Sequence, residues 1–215
     1  PNAGSDPASL ETSAERHGDC YVLNGTKTFI TSGSTADIII VMARTDRAKR
    51  SRGITAFIVE RSFGGITPGM KENKLGIRAS DTCELIFKNC EVPADNVLGE
   101  VGNGLGAALD TLTFGRVGVG AQALGVAECA FEESVRYSRQ RKQFGKPLAD
   151  FQAIQWMLAD MATEIEAARF LVYRAALLKD HNKPFAAEAS MAKLYASETA
   201  MRCATKAVQI HGGYG

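Results

Sequence analysis

The apolar residues of this chain change their period near its middle. In the first half they come in short runs divided by turn residues. Tyr21 to Ile30 carries Asn24-Gly25 between two apolar-rich arms. Asn-Gly supplies the positive φ angles of a tight turn, so the pattern predicts a hairpin there. Ile38 to Ala43 is a β-branched run, suited to a strand buried on both faces. Gly53–Glu60 and Cys83–Cys90 follow at strand-like lengths, punctuated by Gly64-Gly65, Pro68-Gly69 and Pro93. Asp46 to Arg52, rich in Lys and Arg, reads as an exposed hairpin loop. The expectation for residues 1–98 is a small β-barrel or sandwich.

In the second half the period becomes helical. Phe151, Ile154, Leu158, Met161, Ile165, Ala168, Val172 and Ala175 alternate spacings of three and four, one apolar stripe on a long helix. Lys183-Pro184 ends it. Leu194, Met201 and Val208 repeat at seven in a further helix rich in Ala and Ser, whose small residues permit close helix approach. An earlier helix is predicted from about Leu105 to Arg139, with Leu124, Phe131 and Val135 inward. Residues 99–215 then form an up-down helical bundle one helix short of four, and the chain as a whole is α+β.

Composition adds mostly exclusions. With 215 residues, 45% hydrophobic and 23% charged, and a net charge of +1, nothing asks for nucleic acid or a membrane surface. No apolar run approaches the roughly 20 residues of a bilayer helix, and no targeting leader is visible. The five cysteines include no C-x-x-C pair, and they read as reduced, mostly buried thiols. The chain opens on Pro1 and closes on His211-Gly-Gly-Tyr-Gly215, which suggests a fragment cut at both ends.

Gly118-Val-Gly-Ala-Gln-Ala123 matches G-x-G-x-x-A, but helical sequence flanks it on both sides, so small residues for helix packing explain it better than a dinucleotide loop. There is no G-x-S-x-G and no H-E-x-x-H. His17, His181 and His211 lie in turn-like or terminal contexts and read as surface residues, not metal ligands. Five further segments carry more together than singly: Pro1-Asn-Ala-Gly-Ser-Asp6, Phe29-Ile-Thr31, Arg141-Lys-Gln-Phe-Gly145, Gln152, and Gln209-Ile-His-Gly-Gly-Tyr-Gly215.

As an ordered set these segments closely resemble the acyl-CoA dehydrogenase family, along the middle β domain and most of the C-terminal helical domain. Leu75-Gly-Ile-Arg-Ala-Ser80 and the Gly99–Gly106 loop look most like its short-chain, butyryl-CoA branch. The resemblance implies FAD as cofactor and α,β-dehydrogenation of an acyl-CoA to a trans-2-enoyl-CoA. It implies electron transfer to an electron-transferring flavoprotein, and a homotetramer built as a dimer of dimers. By match to the family's motifs, Phe29, Ile30 and Thr31 border the flavin ring, with Phe29 where many members carry Trp. Ser5 lies in the stretch shared by flavin and thioester. Arg141, on the pyrophosphate, and Phe144 reach the FAD of a neighbouring subunit, and Gln152, Gln209, Gly212 and Gly213 line the same path. Arg116 matches an arginine near the acyl-CoA entrance. Some branches place the catalytic glutamate immediately before that arginine, where this chain has Gly115. The base is therefore expected beyond Gly215, and no residue of the chain is nominated for it. An acyl-CoA oxidase using oxygen, or a chain that is non-catalytic by itself, stand as alternatives. Bacterial cytoplasm and mitochondrial matrix both fit.

Overall fold

Alternating burial along short strands builds the first unit, Pro1–Leu109, around one sheet. The computed structural model describes all residues, Pro1–Gly215. The strands are β1 (Ser13–His17), β2 (Cys20–Thr31), β3 (Ile38–Arg44), β4 (Ile54–Glu60), β5 (Ile66–Lys71), β6 (Thr82–Pro93) and β7 (Val97–Leu98). Their order is β5-β6-β2-β1-β3-β4-β7. Neighbours are antiparallel except β1 and β3, which run parallel and meet only at Ser13 and Arg44. The strands thus form an open mixed sheet, not a closed barrel. Closure would need β5 to pair with β7, and β7 offers two residues, already used by Ala56 and Phe57.

Two local expectations need correction. Asn24-Gly25 is not a hairpin turn; it lies inside the twelve-residue β2, and the chain reverses instead at Gly18-Asp19. The Asn-Gly pair marks a β-bulge, where the β2–β6 register shifts between Leu23 and Gly25. Gly25 has φ +141°, and a Cβ there would lie 2.8 Å from Thr12 Cα, so only glycine fits without strain. The Asn24 side-chain oxygen accepts a hydrogen bond from the Asn89 amide at 2.8 Å. In β6 the alternation also slips there: Cys83, Leu85 and Phe87 are buried, Lys88 and Asn89 are both exposed, and Cys90 and Val92 are buried again. The irregularity therefore keeps both ends of β6 facing the core. β3 is not buried on both faces either, since Ile38 and Ile40 are exposed while Val41 and Ala43 are buried. The doubly buried strand is β4, with Ile54, Thr55, Ala56 and Phe57 all at 0% exposure.

The second unit, Asp110–Gly215, holds most of α1 (Gly104–Gln140), then α2 (Gln152–Asp180) and α3 (Ala186–His211). Each buries one stripe at alternating spacings of three and four. On α1 it includes Val117, Gly120, Leu124, Ala127, Ser134 and Ser138; on α2, Met161, Ile165, Ala168, Val172 and Ala175. The stripe expected on α2 is present. On α3 the residues that repeat at seven, Leu194, Met201 and Val208, are exposed, and Ala189, Ala192, Ala196, Thr199 and Cys203 are buried. Small side chains win the inward face because the helices come close. A Cβ on Gly120 would already stand 3.4 Å from the Ala192 backbone, which gives the G-x-G-x-x-A segment its packing role. Ion pairs join the helices: Arg202–Glu164 at 2.6 Å and Lys206–Asp160 at 3.0 Å link α3 to α2, and Arg169–Glu128 links α2 to α1. No helix is long and apolar enough to cross a membrane.

This arrangement predicts opposite outcomes for two methionines. Met161→Ala, at 0% exposure, should destabilise by about 2–5 kcal/mol. Met201→Ala, at 70% exposure, should stay within about 0.5 kcal/mol. Urea denaturation of the two variants is the check; equal losses would place Met201 inside the bundle.

Candidate functional site

The expected site residues fall into two groups, one in each unit. In the helical unit the chain leaves α1 through a small hairpin, β8 (Lys142–Gln143) and β9 (Lys146–Pro147). Its turn residues Phe144 and Gly145 both have positive φ, +52° and +80°, the pairing a two-residue hairpin requires. The Phe144 ring is held at the tip, 93% exposed, edge-on to Phe151 at 6.2 Å. Lys146 Nζ lies 4.3 Å over the Phe151 ring, and Gln152 opens α2 immediately afterwards, exposed.

Arg141 sits at the base of this hairpin. Its amide donates to Tyr137 O at 2.8 Å and its carbonyl accepts from the Leu148 amide at 2.9 Å, while its guanidinium enters no ion pair. One helical turn earlier, Tyr137 stacks on His211 with centroids 4.5 Å apart. That contact brings the end of α3 to the end of α1. Tyr137, Gln140, Arg141 and Tyr214 line a shallow hollow of about 290 Å³. Gln209, Gly212 and Gly213 are exposed in the same segment, and Gly212 has φ +62°. The structure therefore gathers Arg141 and the C-terminal Gly-rich motif at one end of the bundle. Sequence reading missed Tyr137 and dismissed His211, which is half-buried and whose Nδ1 lies 2.8 Å from Ala207 O. The i, i+4 spacing of Tyr137 and Arg141 was the available signal. Arg116 is not part of this cluster. It lies on the exposed face of α1, 141 − 116 = 25 positions away, about 37 Å along a helix. Next to it, Gly115 has nothing within 4 Å of where a Cβ would stand, so packing does not demand glycine there.

In the sheet unit, Phe29, Ile30 and Thr31 end β2 at a second irregularity, where the register shifts between Lys27 and Ile30. Phe29 has φ +56° and is 71% exposed, while Ile30 packs on the sheet core. Ser32 also has a positive φ, +57°. Two non-glycine residues in this sparsely populated region within four positions constitute strain, held by neighbours. The holding group is Asp81: its carbonyl accepts from the Ser32 amide at 2.9 Å, and its carboxylate accepts from Ser34 Oγ at 2.7 Å and the Ser34 amide at 3.1 Å. Those bonds from Ser34 hold the Asp81 carboxyl below its ordinary pKa. Ser5 is exposed near the start of the unit's sequence. Its segment is fastened by Arg44, which donates to Leu10 O at 3.0 Å and Ala8 O at 2.6 Å.

Comparison with known proteins finds one family profile for each unit. The profile of the acyl-CoA dehydrogenase middle domain matches residues 1–90, and that of the acyl-CoA dehydrogenase C-terminal domain matches residues 102–215. The short-chain specific acyl-CoA dehydrogenase of Megasphaera elsdenii is 55% identical over all of this chain and 56% of its own length. The structure of butyryl-CoA dehydrogenase from Megasphaera elsdenii superposes with a TM-score of 0.96 at 55% identity, covering the whole chain and 56% of that one. A structure described as the electron transferring flavoprotein of Acidaminococcus fermentans reaches 0.97 at 52% identity, with the same coverages. The chain thus spans just over half the length of the relatives it matches. It belongs to the acyl-CoA dehydrogenase family, of which it carries the middle and C-terminal domains.

Proposed function

We propose that this chain supplies the FAD-holding and substrate-facing parts of a short-chain acyl-CoA dehydrogenase. The observation that carries the reading is the cluster at the bundle end. Arg141, in no ion pair, shares a hollow with Tyr214 of the Gly-rich terminus, whose Gly212 and Gly213 are exposed, and an exposed aromatic ring stands on the adjoining hairpin. That donor set fits an anionic, flat-ringed dinucleotide. Arg141 would grip pyrophosphate oxygens in pairs, as a planar, permanently charged group does. Gly212 and Gly213 would let the backbone close on the cofactor, with Gln152 and Gln209 as polar contacts. Phe144, exposed as it is, suits contact with the FAD of a neighbouring subunit, so the reading includes a homo-oligomer, a dimer of dimers.

Phe29, Ile30 and Thr31 would border the flavin ring, Thr31 donating near the atom where charge arrives. Ser5 and Arg116 would face the acyl-CoA. A flavin held by these residues would supply an acceptor for the hydride that leaves the substrate's β carbon. The α proton needs a base within hydrogen-bond reach, and none of this chain's carboxylates is assigned that role. Position 115 is glycine, and Asp46 and Asp81 are drawn below their ordinary pKa by hydrogen bonds from Ala48 and Ser34, the wrong direction for a general base near neutrality. Electrons would then pass to an electron-transferring flavoprotein; a relative described by that name supports this partner.

The short-chain reading predicts a higher kcat/KM for butyryl-CoA than for octanoyl-, palmitoyl- or isovaleryl-CoA in the holoenzyme containing these domains. Steady-state comparison decides it, and a preference for palmitoyl- or isovaleryl-CoA would overturn it.

A further inference from the structure

A wedge opens in the sheet ahead of the start of β1. Ser13, the first residue of β1, is the one that pairs on both sides, with Asn24 of β2 and Arg44 of β3. Thr12 still lies against Gly25, and its carbonyl accepts from the Arg44 amide at 2.7 Å; N-terminal to it no strand runs between Thr26–Thr31 of β2 and Ile38–Ala43 of β3. Lys27 spans this wedge: its ammonium donates to Met42 O at 2.6 Å. The half-buried Lys27 enters no ion pair, and it lines a cavity of about 660 Å³ together with Asn2, Glu11, Thr12, Asn24 and Arg47. The cavity's one carboxylate, Glu11, accepts from Asn2 Nδ2 at 3.1 Å.

We propose that Lys27 is a self-acylation site, its amine taking the acyl group of a short acyl thioester that enters this cavity. The idea rests on the reading that this chain meets acyl-CoA. In the step, neutral Nζ attacks the thioester carbonyl carbon, a C–N bond forms and the C–S bond breaks. The proton from nitrogen ends on the departing sulfur, giving an amide and a free thiol, with no oxidant required. The volume admits a short acyl group, and Arg47 places a positive charge in the lining toward which the phosphates of CoA can be drawn.

Burial without a counter-charge also lowers the Lys27 pKa from 10.5 to about 8. At pH 7.5 about a quarter of such an amine is neutral, against about 0.1% of an ordinary lysine. A less basic amine is a weaker nucleophile, so the net advantage expected is about tenfold or more.

The test is to incubate the folded chain with acetyl-CoA at pH 7.5 and follow each lysine by peptide mass spectrometry. Acetyl-CoA has no β carbon, so it cannot be dehydrogenated; failure here and failure of the dehydrogenase reading are separate results. Lys27 should acetylate about tenfold faster than Lys49, whose side chain is 69% exposed. The preference should vanish in urea-unfolded chain, and Lys27→Arg should lose the adduct while Lys49 labels as before. Labelling of Lys27 at or below the rate of Lys49, or a preference that persists in urea, overturns the proposal.

Discussion

Phe57→Ala should destabilise the sheet unit by about 3–5 kcal/mol, whereas Phe29→Ala should change it by no more than about 0.5. Both are phenylalanines on strands, and their surroundings decide the difference. Phe57 is at 0% exposure in the middle of β4, packed with Val41, Val59 and Leu85 in one cluster and edge-on to Tyr21 at 5.0 Å. Its removal loses the transfer energy of the ring and leaves a cavity that paired strands on both sides cannot collapse. Phe29 is 71% exposed and sits at a positive φ, so truncation there gives up little burial. A typical domain has only about 5–15 kcal/mol in hand, so Phe57→Ala alone can consume much of it. Urea denaturation followed by far-UV circular dichroism measures both. A large loss for Phe29→Ala would mean that its ring is a packing element, and its assignment beside the flavin would lose its basis.

The contrast between these two residues shows what could be read in the sequence. Long-range periodicity was legible in the α2 stripe from Met161 to Ala175, and the Lys- and Arg-rich composition of Asp46–Arg52 marked the loop between β3 and β4. Local turn chemistry misled at Asn24-Gly25, because a positive-φ glycine serves a bulge as well as a hairpin, and only the partner strand distinguishes them. On α3 the small residues were the legible signal. Leu194, Met201 and Val208 form the larger stripe, yet the tight approach at Gly120 and Ala192 selects alanines for the inside. Sheet closure was illegible too, because it depends on whether β5 and β7, 25 or more positions apart, find each other. At the site, Arg141 and the Gly-rich terminus were each legible as motifs; their meeting through Tyr137 and His211 required the fold.

Arg141→Ala should weaken FAD retention by about ten- to a hundredfold. A hydrogen bond to a charged group contributes about 1.5–3 kcal/mol, and every 1.4 kcal/mol is a factor of ten in affinity. The fold should be untouched, because the guanidinium makes no ion pair and the bonds that fasten residue 141, to Tyr137 and Leu148, are backbone bonds. Arg141→Lys should recover only part of the affinity, since an ammonium cannot offer two parallel donors to a phosphate. Equilibrium dialysis with FAD checks both variants, and circular dichroism checks their folding. An unchanged dissociation constant would leave Arg141 as a charge at the end of a helix and nothing more.

The most direct test of the account as a whole is anaerobic. The chain is loaded with FAD, freed of excess cofactor, mixed with butyryl-CoA, and followed by visible absorbance. The account predicts that FAD is retained and that its band shifts as substrate comes against the ring. It further predicts that the absorbance then bleaches at least about a hundredfold more slowly than in an intact short-chain relative, because general-base assistance is typically worth 10²- to 10⁴-fold. Bleaching at the relative's rate would mean that a carboxylate within Pro1–Gly215 takes the α proton, and failure to retain FAD at all would contradict the cofactor site built around Arg141.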